Sequence, residues 1–233
     1  MSHLGPAKMA SAEGPEQPQR RHSVPKNAET LADPALRARR EAENGIRQFD
    51  LGMRIVEDAL ARGEPFKLRP SQLQALHREA LQGLSEWAGN WRPAGIEIEG
   101  STHRPVGAHL VPELVEDLCE YVNGHRDRSP IHLAAFVMWR LNWIHPFTDG
   151  NGRTSRIASY VVLCISLKSV LRGKNTIPDQ IVFNRGPYFD ALEAADRSSR
   201  AGAPDLTKME ELLEGMLAVQ LKSMMEDATN KTF

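Results

Sequence analysis

The stretch His145-Pro146-Phe147-Thr148-Asp149-Gly150-Asn151-Gly152-Arg153-Thr154-Ser155-Arg156 carries the densest reactive chemistry of this 233-residue chain. An imidazole, a carboxylate, a turn-forming Gly-Asn-Gly and two guanidiniums lie within it. An apolar segment with helical character, residues 131–144, enters the stretch, and a second, residues 157–171, leaves it. The pattern therefore predicts a loop held between two core helices.

The Gly-Asn-Gly turn predicts an anion-binding site. Gly150, Asn151 and Gly152 tolerate left-handed backbone angles, and successive N–H groups in such a turn converge on one point. A helix expected to begin near Gly152 aims its unpaired N–H groups and the positive end of its dipole at the same point. Arg153 and Arg156 are three residues apart, hence on one helical face, and each guanidinium can hold phosphate oxygens by two hydrogen bonds.

Two further side chains favour nucleotide chemistry. Asp149 offers a hard oxygen ligand, which suits Mg²⁺ bridging phosphates better than Zn²⁺. His145 titrates near neutral pH and can act as a general base. Taken singly, a histidine at a helix end is more often a cap and a Gly-Asn-Gly more often a simple turn. Their co-occurrence favours a Mg²⁺–nucleotide site with a base beside it.

The stretch also resembles a known family. It matches, at every fixed position, the His-Pro-Phe-x-Asp-Gly-Asn-Gly-Arg-x-x-Arg signature of Fic-domain proteins, and the similarity extends over residues 40–200 through Leu76-His77, Gly95–Ile98 and His103–Pro105. The resemblance implies an all-α, Fic-type helical domain with one short β-hairpin flap, expected between residues 94 and 108. It further implies a protein adenylyltransferase that moves AMP from Mg²⁺–ATP to a Ser, Thr or Tyr hydroxyl of a target protein.

The same resemblance assigns roles to individual residues. His145 takes the proton from the target hydroxyl, Asp149 holds Mg²⁺ and Arg156 anchors the γ-phosphate. Tyr188 is expected to wall the adenosine pocket, although a tyrosine at a helix start is at least as often packing. The remaining phosphate-binding residues are Gly150, Asn151, Gly152 and Arg153, and the residues of the flap that dock the target are Ile96, Glu97 and Ile98.

Autoinhibition by a glutamate is a second implication. Many Fic-domain proteins carry Ser/Thr-x-x-x-Glu followed by Gly or Asn, and that glutamate pairs with the second motif arginine. Glu43-Asn44 fits the end of this pattern, with Arg39 at the Ser/Thr position, so Glu43 is the first candidate. Glu99-Gly100 and Glu214-Gly215 also supply the dipeptide. A separate antitoxin chain is the alternative if no internal glutamate acts.

Other reaction classes stay open at this point. One is a hydrolase that removes AMP from proteins. Others are a kinase-like or phosphocholine-transferring relative acting as a toxin, although the kinase-like Doc toxins usually carry Lys where this chain has Gly152. A catalytically idle binding module is disfavoured because both His145 and Asp149 are present.

Composition predicts an ordinary globular protein. Hydrophobic residues make up 41%, charged residues 25%, and the net charge is −1, which indicates neither a nucleic-acid nor a membrane partner. Residues 1–33, rich in Pro and polar residues, are expected to form a disordered tail, and residues 34–233 a single domain. Cys119 and Cys164 lie in apolar helical patterns and are expected to be buried thiols. The opening residues lack a signal-peptide pattern, so a cytoplasmic protein is expected, with a homo-oligomer possible.

Overall fold

The computed structural model describes residues 22–23 and 33–230, and this part of the chain is almost entirely helical. The all-α prediction is confirmed. A two-residue strand pair, β1 (His22–Ser23) and β2 (Ile98–Glu99), is the β structure of the described residues. The helices, in chain order, are α1 (Pro34–Arg62), α2 (Pro70–Leu81), α3 (Val111–Gly124), α4 (Pro130–Ile144), α5 (Asn151–Ser166), α6 (Ile177–Phe183), α7 (Gly186–Arg200) and α8 (Thr207–Asn230).

Helices α4 and α5 form the centre of the molecule, with the signature stretch between them. α4 begins at a cap in which the Ser129 side chain accepts a hydrogen bond from the His132 N–H at 3.0 Å and Pro130 occupies the first turn. α4 is apolar on most of its circumference, which is the pattern of a helix buried on all sides. Its buried residues include Ala134, Val137, Met138, Leu141 and Ile144.

Helix α1 lies along this core as one uninterrupted helix. The helix runs through Gly45 and Gly52 without a break. A Cβ at Gly52 would lie 2.9 Å from a methyl carbon of Ile157, so the glycine lets α1 approach α5 closely. The helix ends before Gly63, which has the left-handed φ of 69° typical of a glycine at a helix end.

The C-terminal helices close the other side of the core. The Trp139 indole donates a 2.9 Å hydrogen bond to buried Asp196 and so fastens α7 to α4. α5 ends at Ser166, earlier than the predicted residue 171, and the short helix α6 was not predicted. Cys119 and Cys164 are buried and unpaired as disulfides, which confirms the prediction; burial raises the pKa of the Cys119 thiol to about 12 and that of Cys164 to about 11.

The predicted flap differs from a self-contained hairpin. Its strand β2 pairs antiparallel with β1, 75 residues earlier in the chain, and not with a second strand inside residues 94–108. Past the turn at Gly100, the His103 ring is drawn to the Trp143 carbonyl at 2.7 Å, and Pro105 has no N–H to donate. Among the described residues, neither His103 nor Pro105 belongs to a strand that pairs with β2.

The structure describes little of the predicted N-terminal tail. The predicted tail, residues 1–33, lies outside the described residues except for β1 and Asp33, whose side chain caps α1. Among the described residues, no helix combines the length and apolar character needed to span a bilayer.

Candidate active site

His145 lies at the junction of α4 and the loop that follows. It has left-handed backbone angles (φ 53°, ψ 59°), which are uncommon for a residue with a Cβ, and its N–H closes the last turn of α4 on the Leu141 carbonyl at 2.9 Å. Nδ1 lies 3.3 Å from the Asn142 carbonyl. A hydrogen bond there requires the Nδ1–H tautomer, which makes Nε2 the nitrogen that can accept a proton. Burial lowers the pKa of His145 from 6.5 to about 4, so the imidazole is neutral at pH 7.

The loop between the helices, residues 145–150 (the motif loop), is locked by Asn151. Its side-chain oxygen accepts from the Phe147 N–H at 2.9 Å, and its amide donates to the Phe147 carbonyl at 2.8 Å. The Asn151 side chain is only 3% exposed. The sequence assigned Asn151 to the phosphates; the structure places its side chain in the loop's own hydrogen bonds.

His77 of α2 supports the motif loop from the opposite side. Its Nδ1 accepts from the Gly89 N–H at 2.9 Å, so Nε2–H donates to the Asp149 carbonyl at 3.0 Å. The ring stacks on Phe147 with centroids 3.7 Å apart. Burial lowers the pKa of His77 to about 4, which keeps this tautomer neutral. The sequence marked His77 only as a point of family similarity, and its supporting role became visible in the fold.

Both the backbone conformation and the close packing at position 150 require glycine. Its φ is 72°, and an added Cβ would lie 2.4 Å from a methyl carbon of Leu81. α5 begins directly afterwards at Asn151, slightly before the predicted start. Asn151 and Gly152 are therefore helical, and the left-handed turn predicted for Gly-Asn-Gly is confined to Gly150. The first-turn N–H groups of α5 are left without intrahelical acceptors, as at any helix start.

Asp149 and Arg153 pair across the first turn of α5. Oδ2 of Asp149 accepts from the Arg153 guanidinium at 3.0 Å, and Oδ1 accepts from the Gly150 N–H at 2.6 Å. The two side chains are 24% and 26% exposed. Both therefore remain reachable from the cavity that they line.

Arg156 extends beside Tyr188 of α7. The tyrosine hydroxyl hydrogen-bonds this guanidinium and also accepts from the Asn142 amide at 2.9 Å. Burial, together with the neighbouring Arg185 and Arg153 cations, lowers the pKa of Arg156, which stays charged. Tyr188 lines the cavity but is only 2% exposed, so its hydroxyl orients Arg156 while little of its ring is presented to a ligand.

A cavity of about 1090 Å³ joins these groups. The motif loop and the start of α5 form its floor, α1 one wall, and α6 with α7 another. Four guanidiniums line it, which favours a polyanionic ligand. Apolar side chains from the two walls complete it. The arginines are Arg37, Arg153, Arg156 and Arg185, and the apolar residues include Phe49, Ile157, Val182 and Phe189. Arg185 is a cavity residue that the sequence did not single out.

The wall formed by α1 carries two glutamates with different surroundings. Glu43 forms ion pairs with Arg39 at 3.0 Å and with Arg40 at 3.7 Å, so the Glu43–Arg156 pair expected from the sequence is not formed. Glu41 lines the cavity and lies 3.9 Å from Arg153. A difference of two positions turns a helical side chain by about 200°. This rotation explains why the dipeptide pattern and the cavity indicate different carboxylates.

Arg92 is a further functional candidate that the sequence did not reveal. Its side chain, buried in the protein, donates to the carbonyls of His145 at 2.7 Å, Ala94 at 2.9 Å and Val106. Its own N–H donates to the Pro146 carbonyl at 2.9 Å. Arg92 therefore ties both ends of the flap (residues 92–107) to the motif loop. No local sequence pattern distinguishes a buried arginine that donates to backbone carbonyls from an arginine exposed to solvent.

The flap residues predicted to dock a target occupy three environments. Ile98 is 8% exposed and lines the cavity, Ile96 is half-buried, and Glu97 is exposed. Of these three residues, Ile98 is the one that lines the same cavity as the motif loop. Docking of a target on these residues stays a prediction.

Comparisons with known proteins agree with this geometry. Residues 67–163 match the model of the Fic/DOC family. The protein adenylyltransferase fic-1 of Caenorhabditis elegans is 28% identical over 158 residues, which cover 66% of this chain and 29% of that protein. The chain thus spans less than a third of the length of this curated relative. The relative's name supports a Fic-type transferase in general.

Two solved structures share the fold. One is C. elegans Fic-1, with a TM-score of 0.62 and 20% identity over 86% of this chain and 55% of that one. The other is a Fic family protein from Desulfovibrio desulfuricans, with a TM-score of 0.59 and 21% identity over 87% of this chain and 56% of that one. At these identities the likeness establishes the helical architecture.

Proposed function

Residues 67–163 place this chain among the Fic-domain proteins, and on that premise we propose that it transfers AMP from Mg²⁺–ATP to a hydroxyl side chain of a target protein. The observation that carries the proposal is the cavity in which a neutral buried imidazole, a carboxylate and four guanidiniums meet at the start of α5. Transferases that move a charged phosphoryl-type group work mainly by positioning and by electrostatic stabilisation, and these groups supply both.

The donor's phosphates are the part of the substrate that the cavity fits best. The N-terminal N–H groups of α5, Arg153 and Arg156 can hold them by charge-assisted hydrogen bonds. A Cβ at Gly152 would lie 3.2 Å from a guanidinium nitrogen of Arg156, so a larger residue there crowds that cation. The glycine therefore supports a donor whose phosphates reach Arg156, as the AMP-transferring orientation requires.

Magnesium fits the donor set around Asp149. Within residues 33–230, no group of three or more His, Cys, Asp or Glu side chains is placed to hold a metal without substrate. Mg²⁺ usually binds proteins through one or two carboxylates together with substrate phosphates and water, so a single reachable carboxylate suffices. When bound, the ion supplies charge neutralisation at the phosphates. Asp149 is the residue that would hold it, and Arg153 holds that carboxylate in place at 3.0 Å.

His145 completes the proposed reaction. The Nδ1–H bond to the Asn142 carbonyl presents Nε2 as the acceptor for the proton of an incoming hydroxyl. As that proton leaves, the hydroxyl oxygen bonds to the α-phosphorus, and pyrophosphate departs with the electrons of the broken phosphoanhydride bond. A positioned base of this kind contributes ~10²–10⁴-fold to rate.

The regulatory part of the proposal is a carboxylate of α1 above the phosphate-binding groups. Glu43 follows from the sequence pattern, whereas the contact with Arg153 favours Glu41. A carboxylate near Arg153 competes with the phosphates for that cation and repels them. The displaced α-phosphate then lies out of line for attack, a misplacement that can cost ~10²-fold in rate.

Two donors test the reaction class. The protein, alone and with added cell extract, is incubated with ATP labelled at either the α- or the γ-phosphate. Protein-bound label from the α-position only is the expected result. Label from the γ-position only identifies the kinase-like reaction instead. Label from neither, together with release of AMP from an AMP-modified protein, identifies the hydrolase.

A further inference from the structure

A second cavity lies at the far end of α5 from the motif loop. It has a volume of about 720 Å³, which is in the range of small-molecule sites, and none of the described residues lines both cavities. The first turn of α5 lines the first cavity, and Val162, Ile165 and Ser166 near its end line the second. The two cavities are therefore separated by most of the length of this 16-residue helix, which is about 24 Å long.

The second cavity has an apolar interior and a cationic rim. Its apolar lining comes from α1, the loop after α1, α3, α4 and α5, and consists of side chains that belong to the core or pack against it: Leu60, Phe66, Val122, Leu133, Val162 and Ile165. Its charged lining residues are exposed, and they are the cations Arg126, Arg128 and Lys168 and the single carboxylate Glu64. The rim thus carries an excess of positive charge around an apolar interior.

The fold does not use the rim cations in ion pairs. Within the described part of the chain, no carboxylate pairs with Arg126, Arg128 or Lys168. The Arg126 guanidinium donates to the Phe66 carbonyl at 2.7 Å, whereas the side chains of Arg128 and Lys168 donate to no described residue. Cations near helix C-termini often serve to bind the free carbonyls there. Because Arg128 and Lys168 make no such hydrogen bond, their donors are available to a ligand.

Lys168 also occupies a backbone position that favours glycine. Its φ is 52°, in the left-handed region where a Cβ is strained. It follows the end of α5, where the Ser169 N–H donates to the Cys164 carbonyl at 3.0 Å, and glycine is the usual residue at the left-handed position of such a helix end. Backbone strain of this kind is concentrated at functional sites. The backbone does not benefit from a lysine here, so we look for its role in the side chain that lines the cavity.

We propose that the second cavity binds a small amphipathic anion, namely a carboxylic acid with an apolar body. The apolar body fits the interior, and the carboxylate meets Arg128 and Lys168 at the rim. A polyanion such as a nucleotide is disfavoured, because Glu64 and the negative C-terminal ends of α1, α3 and α5 lie at the same cavity. This site does not depend on the proposed transfer reaction, since it shares no residue with the first cavity.

Calorimetric titration of the full chain with decanoate tests the proposal. Decanoate, used below its micelle-forming concentration, is expected to bind with one molecule per chain, and more weakly as the salt concentration rises. Decyltrimethylammonium has the same apolar chain with a cationic head and is expected not to bind. Absence of decanoate binding, or equal binding of both compounds, overturns the proposal.

Matched substitutions of one cation in each cavity locate the bound decanoate. Lys168→Gly and Arg128→Gln should each weaken binding about five-fold, the upper range for an exposed ion pair, whereas Arg153→Gln in the first cavity should leave it unchanged. Lys168→Gly relieves the left-handed strain, so its midpoint of thermal unfolding should equal or exceed that of wild type, which separates lost binding from lost folding. Binding that is unchanged in Lys168→Gly and Arg128→Gln, or weakened only in Arg153→Gln, overturns the assignment to the second cavity.

Discussion

The motif loop (residues 145–150) and the flap (residues 92–107) face the same cavity, yet they are held very differently. The loop is fixed by reciprocal Asn151–Phe147 hydrogen bonds, by His77 on the Asp149 carbonyl and by Arg92 on the His145 carbonyl. The flap contributes one two-residue strand and is anchored mainly through Arg92 and His103. The motif loop, where the donor is proposed to bind, is thus fixed by several contacts, while the flap, where the acceptor is proposed to bind, is anchored mainly at its base.

A glycine exchange in each region gives the largest expected contrast. Gly150→Ala forces a Cβ into a left-handed residue and to within 2.4 Å of Leu81, so the loop must shift. We expect transfer to fall ~10²-fold, the cost of misplacing reacting groups by about 1 Å. Gly95→Ala in the flap meets no atom within 4 Å and should change transfer less than about two-fold. Initial rates of α-phosphate transfer measure both, and similar losses in the two variants would contradict the contrast.

The carboxylates of α1 give the next largest effect, in the direction of activation. Glu41→Gly removes the carboxylate near Arg153, and transfer is expected to rise at least ten-fold, or ~1.4 kcal/mol in activation free energy. Glu43→Gly removes ion pairs with Arg39 and Arg40 and is the matched variant. Activation by Glu43→Gly alone would return the inhibitory role to the residue chosen from the sequence pattern. Stability should change little in either case because both pairs are partly exposed.

Arg92 tests the connection between the two regions. Arg92→Lys keeps the charge but cannot reach the carbonyls of His145, Ala94 and Val106 together. Leaving buried carbonyls without donors costs ~1–3 kcal/mol, and transfer to protein should fall several-fold while ATP binding is retained. Arg104→Lys, at an exposed flap position, should match wild type in thermal unfolding and in transfer. Loss of ATP binding in Arg92→Lys would place Arg92 in the donor site instead.

The remaining prediction concerns the pH dependence of stability. His77 and His145 have pKa values lowered to about 4, against 6.5 when exposed. Between pH 6.5 and 4 the unfolded chain binds more protons than the folded chain, so stability falls as pH is lowered through this window. Above pH 6.5 these two groups contribute no slope. Urea unfolding of His145→Gln across the window should show a shallower pH dependence than wild type, and an unchanged slope would contradict the cause assigned here.

The sequence was most informative where local chemistry determines structure. The Ser129-Pro130 start of α4, the Gly63 end of α1 and the placement of the signature stretch between two helices all follow from short-range rules. The all-helical class followed from periodicity together with the family resemblance. In each of these cases the deciding atoms lie within a few residues of one another.

The sequence was least informative where distant segments meet. The hydrogen bond from Arg92 to the His145 carbonyl, the stacking of His77 on Phe147 and the pairing of β1 with β2 each join residues more than 50 positions apart. The two-residue difference between Glu43 and Glu41 is of the same kind, because only the packing of α1 decides which side of the helix faces the cavity. Local sequence patterns do not predict these contacts.

The most direct test of the central claim compares His145→Ala with wild type in two measurements on the same protein preparation. The account holds that the motif loop binds the donor and that His145 acts only on the incoming hydroxyl. Calorimetric titration with Mg²⁺ and a non-hydrolysable ATP analogue should give dissociation constants within about three-fold of each other. Transfer of the α-phosphate label to protein should fall by ~10²–10⁴-fold. Residual transfer above a tenth of the wild-type rate, with binding intact, would contradict the assignment of His145 as the base.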